Sequence, residues 1–217
     1  MITCSFTESD LIKEINKDME NILKISDSKD QRVTRIILKS SVFPVYIHSF
    51  VTTKLKNKWL ILWEARSKKN IGENSMITLI CFHDTPNGRF VYMPSFILGK
   101  LLLIAYPPHF FSRYAERMNI SLSGMELVKY FFERNASYGF THKNELVSET
   151  TAIENVYGSC SDGIALGVSS ASGLIVLFKT FITYEMLKGE QVEDFAKTEV
   201  IRKEFHEKDI SIYNNPY

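Results

Sequence analysis

The part of the sequence that most restricts the fold is residues 32–106, where short apolar segments alternate with turn residues. The segments are rich in β-branched and aromatic residues, as strands are; their sequences are RVTRIILKS, FPVYIHSFVTT, KWLILWEARS, SMITLICFH and RFVYMPSF. The breaks KLKNK and DTPNGR resemble hairpin connections, and the second contains an Asn87-Gly88 turn signal. This pattern predicts an antiparallel meander of four or five strands, to which GKLLLIAY (99–106) adds one more.

An amphipathic helix is predicted before these strands, over residues 7–25. Its apolar side chains recur at helical spacing while charges fill the other face. The apolar residues are Leu11, Ile12, Ile15, Met19, Ile22 and Leu23. Thr7 or Ser9 can act as the N-cap, because a hydroxyl side chain there accepts a hydrogen bond from the first turn.

Two more helices are predicted after the strands. The first runs from Pro107 to about Met118, since proline suits the first turn of a helix, where the backbone N–H has no partner. The second begins at Ser123, because Ser123 and Glu126 have the S-x-x-E spacing of a capping box. These helices form a central pair.

The rest of the chain contains two predicted strands and a last helix. Residues 137–158 have no clear period, and a loop and a partial strand are both open for them. GIALGVS and GLIVLFKTFIT (173–183) are glycine-punctuated strands, and the unbroken apolar run of the latter is typical of a central strand. The tail predicts a helix with an apolar side made of Val192, Phe195, Ile201 and Phe205.

Together these elements predict a single α+β domain over residues 1–217, since no repeat or long linker interrupts them. The expected architecture is an antiparallel sheet of four to six strands, with an N-terminal helix, a central helical pair and a C-terminal helix. A subdivision near residue 105 is also open. It would separate a β-rich front half, 1–105, from a helix-strand-helix back half, 106–217.

The charge balance and the cysteine content exclude several classes of protein. Lys and Arg number 26 and Asp and Glu number 25, so no global field steers nucleic acid or a membrane toward the molecule. Three cysteines make neither a disulfide framework nor a metal-binding pair, and no P-loop or dinucleotide fingerprint indicates a nucleotide cofactor. We see no secretory signal and no apolar run long enough for a bilayer. We therefore expect a soluble cytoplasmic protein without cofactor or membrane partner.

The segment YPPHFFSRYAERMNIS (106–121) gathers basic residues on one side of the predicted helix. At about 100° per residue, His109, Arg113, Arg117 and Glu116 fall within one arc of about 100°. One interpretation is an ordinary solvated face, with the aromatic side chains buried on the opposite wall. The other is a site for phosphate chemistry. Imidazole transfers protons near neutral pH, and one guanidinium group can donate two parallel hydrogen bonds to phosphoryl oxygens.

The helix segment HFFSRYAERMNIS and the later strand GLIVLFKTFIT together resemble the barnase–EndoU–colicin–RelE group of metal-independent ribonucleases and toxin domains. Members of that group commonly carry HA-x2-R-x3-R-x-I-S on a helix, which His109, Arg113 and Arg117 match, and end on a strand with Thr or Ser. The resemblance implies that a ribose 2′-OH attacks the adjacent phosphate, with His109 as general base or acid and the two arginines holding the phosphate. Lys179, together with Thr180 or Thr183, would match the strand element, and RNA would be the partner.

Strand geometry distinguishes the two threonines of that strand. If the side chains alternate regularly, Lys179 and Thr183 share one face, whereas Thr180 points the other way and is the weaker candidate. The predicted catalytic residues are His109, Arg113, Arg117, Lys179 and Thr183.

The competing hypothesis is a non-catalytic binding protein with another protein as its partner. Trp59, Ile61 and Trp63 alternate onto one face of a predicted strand. Such a ridge is more often core, but an open sheet face lined with tryptophan can receive a partner.

Two smaller patterns give weaker predictions. Cys81, His83 and Asp84 match no standard zinc spacing, and a metal there would need ligands from both faces of a strand. The run GSCSDG (158–163) suggests a nucleophile, but it lacks the strand-to-helix elbow that presents a catalytic serine. It is predicted to be a surface turn.

Overall fold

A computed structural model describes residues 1–69, 71, 76–97, 100–148, 151–187 and 200. The chain divides into two compact units, Met1–Leu103 and Ile104–Tyr217. The described residues contain four α-helices and nine strands, so the α+β class is confirmed, whereas the predicted four to six strands are too few. Among these residues, no helix combines the length and the apolar character needed to cross a membrane.

The first unit consists of two helices followed by an antiparallel meander. Its elements are α1 (Glu8–Asp27), α2 (Asp30–Lys39), β1 (Val45–Thr52), β2 (Lys58–Ala65), β3 (Met76–Thr85), β4 (Gly88–Ile97) and β5 (Lys100–Tyr106). The strands lie in chain order, with antiparallel ladders joining β1 to β2, β2 to β3 and β3 to β4. The boundary between the two units falls within β5.

Helix α1 begins at the predicted N-cap, Thr7. The Thr7 hydroxyl accepts a hydrogen bond from the Asp10 backbone N–H at 3.2 Å, and the Asp10 carboxylate accepts one from the Thr7 N–H at 3.2 Å. This reciprocal pair satisfies two backbone donors that the helix itself cannot satisfy. The buried positions recur every three or four residues, and they include Leu11, Ile15, Met19 and Ile22.

The turn between β3 and β4 is confirmed, but it lies one residue earlier than the Asn-Gly signal suggests. Thr85 pairs with Gly88, so Pro86 and Asn87 make the connection. Gly88 has a φ of 112°, a conformation that favours glycine. The Thr85 hydroxyl donates to the Gly88 carbonyl at 2.7 Å and closes the turn.

Strand β2 forms the centre of the first unit's core. Trp59, Ile61 and Trp63 are all at most 1% exposed. The Trp59 indole N–H also donates to Asp18 of α1 at 3.1 Å, so that helix covers this end of the ridge. The tryptophan ridge is therefore core, and it offers no open face to a protein partner.

The predicted first strand, RVTRIILKS, is wrong: residues 30–39 form α2. Val33 and Ile37 are buried one helical turn apart, while Leu38 is half exposed. The β-branched residues suggested a strand, but burial of one helical face outweighs their modest intrinsic preference.

The second unit contains a helical pair and the remaining strands. Its elements are α3 (Pro108–Arg117), α4 (Gly124–Asn135), β6 (Gly139–Ser148), β7 (Thr151–Ser159), β8 (Gly163–Ser169) and β9 (Ile175–Thr183). The strand order is β5-β9-β8-β7-β6, with antiparallel ladders from β6 through β9. Both helices are confirmed. Ser123 is the N-cap of α4 as predicted, although its side chain makes no capping hydrogen bond.

Aromatic rings form the core of the second unit, between α3, α4 and β9. Tyr114 packs edge-on against Phe131 at 4.8 Å and against Phe181 at 5.0 Å between ring centroids. Phe110 packs edge-on against Phe131 at 5.4 Å and stacks on Phe178 at 6.5 Å. Each such pair contributes about 0.5–1.5 kcal/mol beyond its buried area. The aromatic side of α3 is therefore packed against the core. The opposite side of the helix, which carries the basic arc of His109, Arg113 and Arg117, faces away from the core.

Two predictions about the back of the chain have different outcomes. Residues 137–158, left open between loop and partial strand, contain β6 and most of β7, which pair antiparallel. The predicted C-terminal helix lies almost entirely outside the described residues, as do Val192, Phe195, Ile201 and Phe205. At the start of that region, Tyr184–Met186 form a short 3-10 turn.

Candidate active site

A bulge in β9 decides which side chains of that strand meet helix α3. Leu166 pairs with Thr180 and Gly167 pairs with Phe178, so Lys179 is an extra residue in β9. Phe178 and Phe181 are both buried in the aromatic core, although regular alternation would place them on opposite faces. The opposite strand has glycine here because a Cβ on Gly167 would lie 2.1 Å from the Leu177 carbonyl oxygen.

The bulged residue contacts His109, the first basic residue of α3. The Nε2 atom of His109 lies 3.0 Å from the backbone carbonyl oxygen of Lys179. A carbonyl oxygen only accepts, so Nε2 carries the hydrogen in this contact. In the neutral ring, Nδ1 then has the free lone pair. His109 and Lys179 are both exposed.

The two predicted arginines converge on the next residue of β9. Arg113 Nη1 donates to the Thr180 hydroxyl at 3.3 Å, and Arg117 Nη1 donates to the same oxygen at 3.0 Å. No ion pair within the described part of the chain includes either arginine, and a hydroxyl is a neutral acceptor. Two positive charges are therefore held together without a carboxylate between them.

Four of the five predicted site residues are brought together, and Thr183 is not. Thr183 ends β9 opposite Gly163, and no described hydrogen bond links it to α3. The threonine that meets the arginines is Thr180. The expected face-sharing of Lys179 and Thr183 assumed regular alternation, and the bulge at Lys179 removes that regularity.

The chemistry available to this arrangement is recognition of an anion. Guanidinium groups bind phosphate oxygens through pairs of N–H donors, and neighbouring like charges favour a bound anion. A nearby imidazole with one nitrogen free can accept a proton. Lys179 is exposed, and its contact with His109 is made by its backbone carbonyl.

A network that the sequence did not predict holds α3 from its other side. The Tyr114 hydroxyl donates to Asp162 at 2.6 Å. Arg134 of α4 donates to both Asp162 oxygens, at distances of 2.5 to 3.0 Å. Asn135 completes the network by donating to Asp162 at 2.8 Å and accepting from the Asp162 N–H at 3.0 Å. Because Tyr114 follows Arg113 directly, this network fixes the rotation of α3 that aims the basic arc at β9.

The ionisation of this network follows from burial and partners. Burial of Asp162 acts to raise the pKa of its carboxyl, but hydrogen bonds from Arg134, Tyr114 and Asn135 outweigh it and leave the pKa lowered. The Tyr114 phenol has a raised pKa, first because of burial and then because of its bond to the carboxylate. Asp162 is therefore charged and Tyr114 neutral over the physiological range.

The predicted surface turn GSCSDG contains the β7–β8 turn at residues 160–162, but only part of it is at the surface. Ser161 is exposed, whereas Cys160 and Asp162 are buried. The Tyr184 hydroxyl donates to the Cys160 carbonyl at 2.6 Å. The hydrogen-bond network around Asp162 had one signal in the sequence, which was the polar pair Arg134-Asn135 at the end of an amphipathic helix. Nothing in the spacing connects that pair to residue 162.

Two residues of the weak metal-site pattern in the first unit, Cys81 and Asp84, have other roles in the structure. Cys81 is buried, and burial raises the pKa of its thiol. Asp84 is paired with Lys58 at 3.0 Å and with Arg89 at 2.5 Å. Within the described ranges, no group of three or more His, Cys, Asp or Glu side chains is placed to hold a metal ion.

Comparison of the chain with protein-family models, with curated proteins and with solved structures found no significant match.

Proposed function

We propose that the protein is a metal-independent endoribonuclease whose active site lies between α3 and the bulge of β9. The observation that carries this proposal is the convergence of His109, Arg113 and Arg117 on the backbone and side chain of Lys179-Thr180. His109 supplies a proton acceptor, and Arg113 and Arg117 supply hydrogen-bond donors for phosphate, at successive turns of one helix. The alternative is that the same surface only binds an anion.

The arginines bind the scissile phosphodiester in this proposal. Arg113 and Arg117 exchange their shared neutral acceptor, Thr180, for two charged phosphate oxygens. Charge-assisted hydrogen bonds are about twice as strong as neutral ones. They stabilise the additional negative charge on the phosphoryl oxygens in the transition state, which is the usual role of fixed cations in phosphoryl transfer.

Proton transfer is assigned to His109 and Lys179. The Nδ1 atom of His109 accepts the proton of the ribose 2′-OH as the 2′-oxygen bonds to phosphorus. The bond from phosphorus to the 5′-oxygen breaks, and the Lys179 ammonium donates a proton to that oxygen. The products are a 2′,3′-cyclic phosphate and a 5′-hydroxyl end. No oxidant and no second substrate is needed for this balance.

The proposal is tested by incubating a single-stranded RNA oligonucleotide with wild type and with His109→Ala in EDTA. Cleavage should fall by at least about 100-fold, because general acid–base groups typically contribute 10²–10⁴-fold. The thermal midpoint should hardly change, since His109 is exposed. His142→Ala is the matched control, because His142 is another exposed histidine of this unit and pairs with Glu154 at 2.9 Å.

Three outcomes separate the hypotheses. Loss of cleavage in His109→Ala with normal cleavage in His142→Ala supports the assignment. Equal cleavage by both variants overturns the role of His109. RNA binding without cleavage by the wild type overturns the nuclease and supports the non-catalytic binding protein.

A further inference from the structure

The first unit contains a hollow that the proposed nuclease does not use. It has a cavity volume of about 410 Å³, which is within the usual range for small-molecule sites. Ile2, Thr3, Cys4 and Phe6 form one wall, Leu11 of α1 contributes to the lining, and the end of the β3–β4 hairpin forms the other wall.

The N-terminal wall is held in place by polar contacts. The Ile2 backbone N–H donates to the Asn57 side-chain oxygen at 2.8 Å. The N-terminal ammonium pairs with Glu14 of α1 at 2.6 Å. The Phe6 N–H donates to the Thr3 carbonyl at 3.1 Å and closes a turn. The hollow is thus formed before any ligand binds, which lowers the ordering cost of binding.

The lining is uncharged. None of the lining residues is Lys, Arg, Asp or Glu. Burial raises the pKa of Tyr92 to about 12, so its phenol stays neutral. Phe90 and Tyr92 stack at 6.2 Å between ring centroids, and both line the hollow together with Phe6. A charged ligand would lose its hydration here without gaining an ionic partner, which is costly.

One lining residue carries an unused polar group. His83 is only 9% exposed, and its Nδ1 atom is buried without a hydrogen-bond partner. Burial lowers the pKa of His83 more than the neighbouring Asp84 carboxylate raises it, so the ring is neutral at pH 7. A buried N–H without a partner is less stable than a buried nitrogen lone pair without a partner. The buried Nδ1 therefore carries the lone pair, and the hydrogen is on Nε2. Nε2 is therefore the donor available to a molecule in the hollow.

We propose that this hollow binds a small uncharged aromatic molecule with one hydrogen-bond acceptor, which receives the Nε2–H of His83. The aromatic ring packs against Phe6, Phe90 and Tyr92. The inference goes beyond the proposed nuclease and does not depend on it. No residue of α3 or β9 takes part.

The test uses three probes of similar size on the full chain: benzamide, benzoate and toluene. Benzamide is uncharged and has an acceptor, benzoate adds a charge, and toluene lacks the acceptor. In NMR titrations, benzamide should cause saturable shifts at His83, Phe90 and Tyr92. It should bind at least about fivefold more tightly than either other probe, since one hydrogen bond contributes about 1 kcal/mol.

Variants connect the binding to this site. Cys4→Trp fills the hollow from an exposed lining position and should abolish the benzamide shifts. Ser5→Trp is the matched control, because Ser5 is exposed but does not line the hollow, and it should bind as wild type does. His83→Phe keeps an aromatic ring and removes both nitrogens, so it should bind benzamide and toluene equally. Tryptophan fluorescence in urea confirms that each variant is folded.

Several results would overturn the proposal. These are the absence of saturable shifts at the lining residues, equal affinity of wild type for benzamide and toluene, tighter binding of benzoate, and unchanged binding in Cys4→Trp.

Discussion

The two units each bury an aspartate that collects several hydrogen bonds, and they compensate its charge in different ways. In the first unit, Asp18 is 2% exposed and accepts from Thr53 at 3.0 Å, Asn57 at 2.7 Å and Trp59 at 3.1 Å. All three donors are neutral. They join α1 to the β1–β2 hairpin, so this cluster is part of the scaffold.

In the second unit, Asp162 is 8% exposed and is held by a cation. Arg134 donates to both carboxylate oxygens, and Tyr114 and Asn135 add neutral donors. Arg134 also lies over the Tyr130 ring at 5.6 Å. This cluster joins α4 and the β7–β8 turn to α3, the helix that carries the candidate site.

The difference shows that, within the described part of the second unit, one arginine is paired with a carboxylate and two others are not. Arg134 has a buried carboxylate, whereas the one acceptor that Arg113 and Arg117 have among the described residues is the hydroxyl of Thr180. Several donors together stabilise a buried carboxylate, and a guanidinium that is not paired with an acid can bind an external anion. The contrast between scaffold and site can be tested by breaking each cluster separately.

Replacing Asp18 by alanine should give the largest loss of stability. Three buried donors would lose their acceptor, which should lower the free energy of unfolding of the first unit by about 3–5 kcal/mol. Tryptophan fluorescence in urea reports this unit, because both tryptophans of the chain, Trp59 and Trp63, belong to it. Asp18→Asn retains an acceptor oxygen and should lose less. A loss below about 1 kcal/mol in Asp18→Ala would refute the scaffold role.

Replacing Asp162 by alanine should cost less, about 2–3 kcal/mol, measured as the change in urea unfolding by circular dichroism. Arg134 is 46% exposed and can rehydrate once its partner is lost. Tyr114→Phe is the control, since it removes one hydrogen bond and should cost about 1 kcal/mol. Asp162→Ala should also increase amide exchange along α3. Unchanged exchange there would contradict the claim that the cluster fixes this helix.

The smallest effect is the pH dependence that Asp162 adds to the stability of the protein. The pKa of Asp162 is lowered on folding, so its contribution to stability is present above the ordinary aspartate pKa and is lost as pH falls through the lowered value. Wild type should therefore lose more thermal stability than Asp162→Asn between pH 5 and pH 3. Parallel melting curves for the two proteins over that range would show that the carboxylate is not stabilised as described.

Elements with one dominant signal could be predicted from the sequence. Thr7 and the apolar spacing after it define α1, and the proline pair marks the start of α3. Helix α2 was missed because Val33 and Ile37 are β-branched, and only their burial distinguishes a helix from a strand. The β6–β7 hairpin was left open because polar residues run through both of its strands.

The site was predictable where it depends on one helix and not where it depends on the sheet. His109, Arg113 and Arg117 share an arc by helical spacing alone. The choice of Thr180 rather than Thr183 as the threonine that meets the arginines depends on the bulge at Lys179. That bulge arises from the strand register and from the close approach at Gly167. Asp162 joins the site through contacts with residues 27, 28 and 48 positions away in the chain, and local patterns carry no such information.

The central claim is that the groups at the β9 bulge cleave RNA through attack by the neighbouring ribose. The most direct measurement is ³¹P NMR of a single-stranded RNA oligonucleotide incubated with the wild-type protein in EDTA. We predict a 2′,3′-cyclic phosphate signal that fails to form when the nucleotides are 2′-deoxy. An intact oligonucleotide, or products that end in a 5′-phosphate, would contradict it.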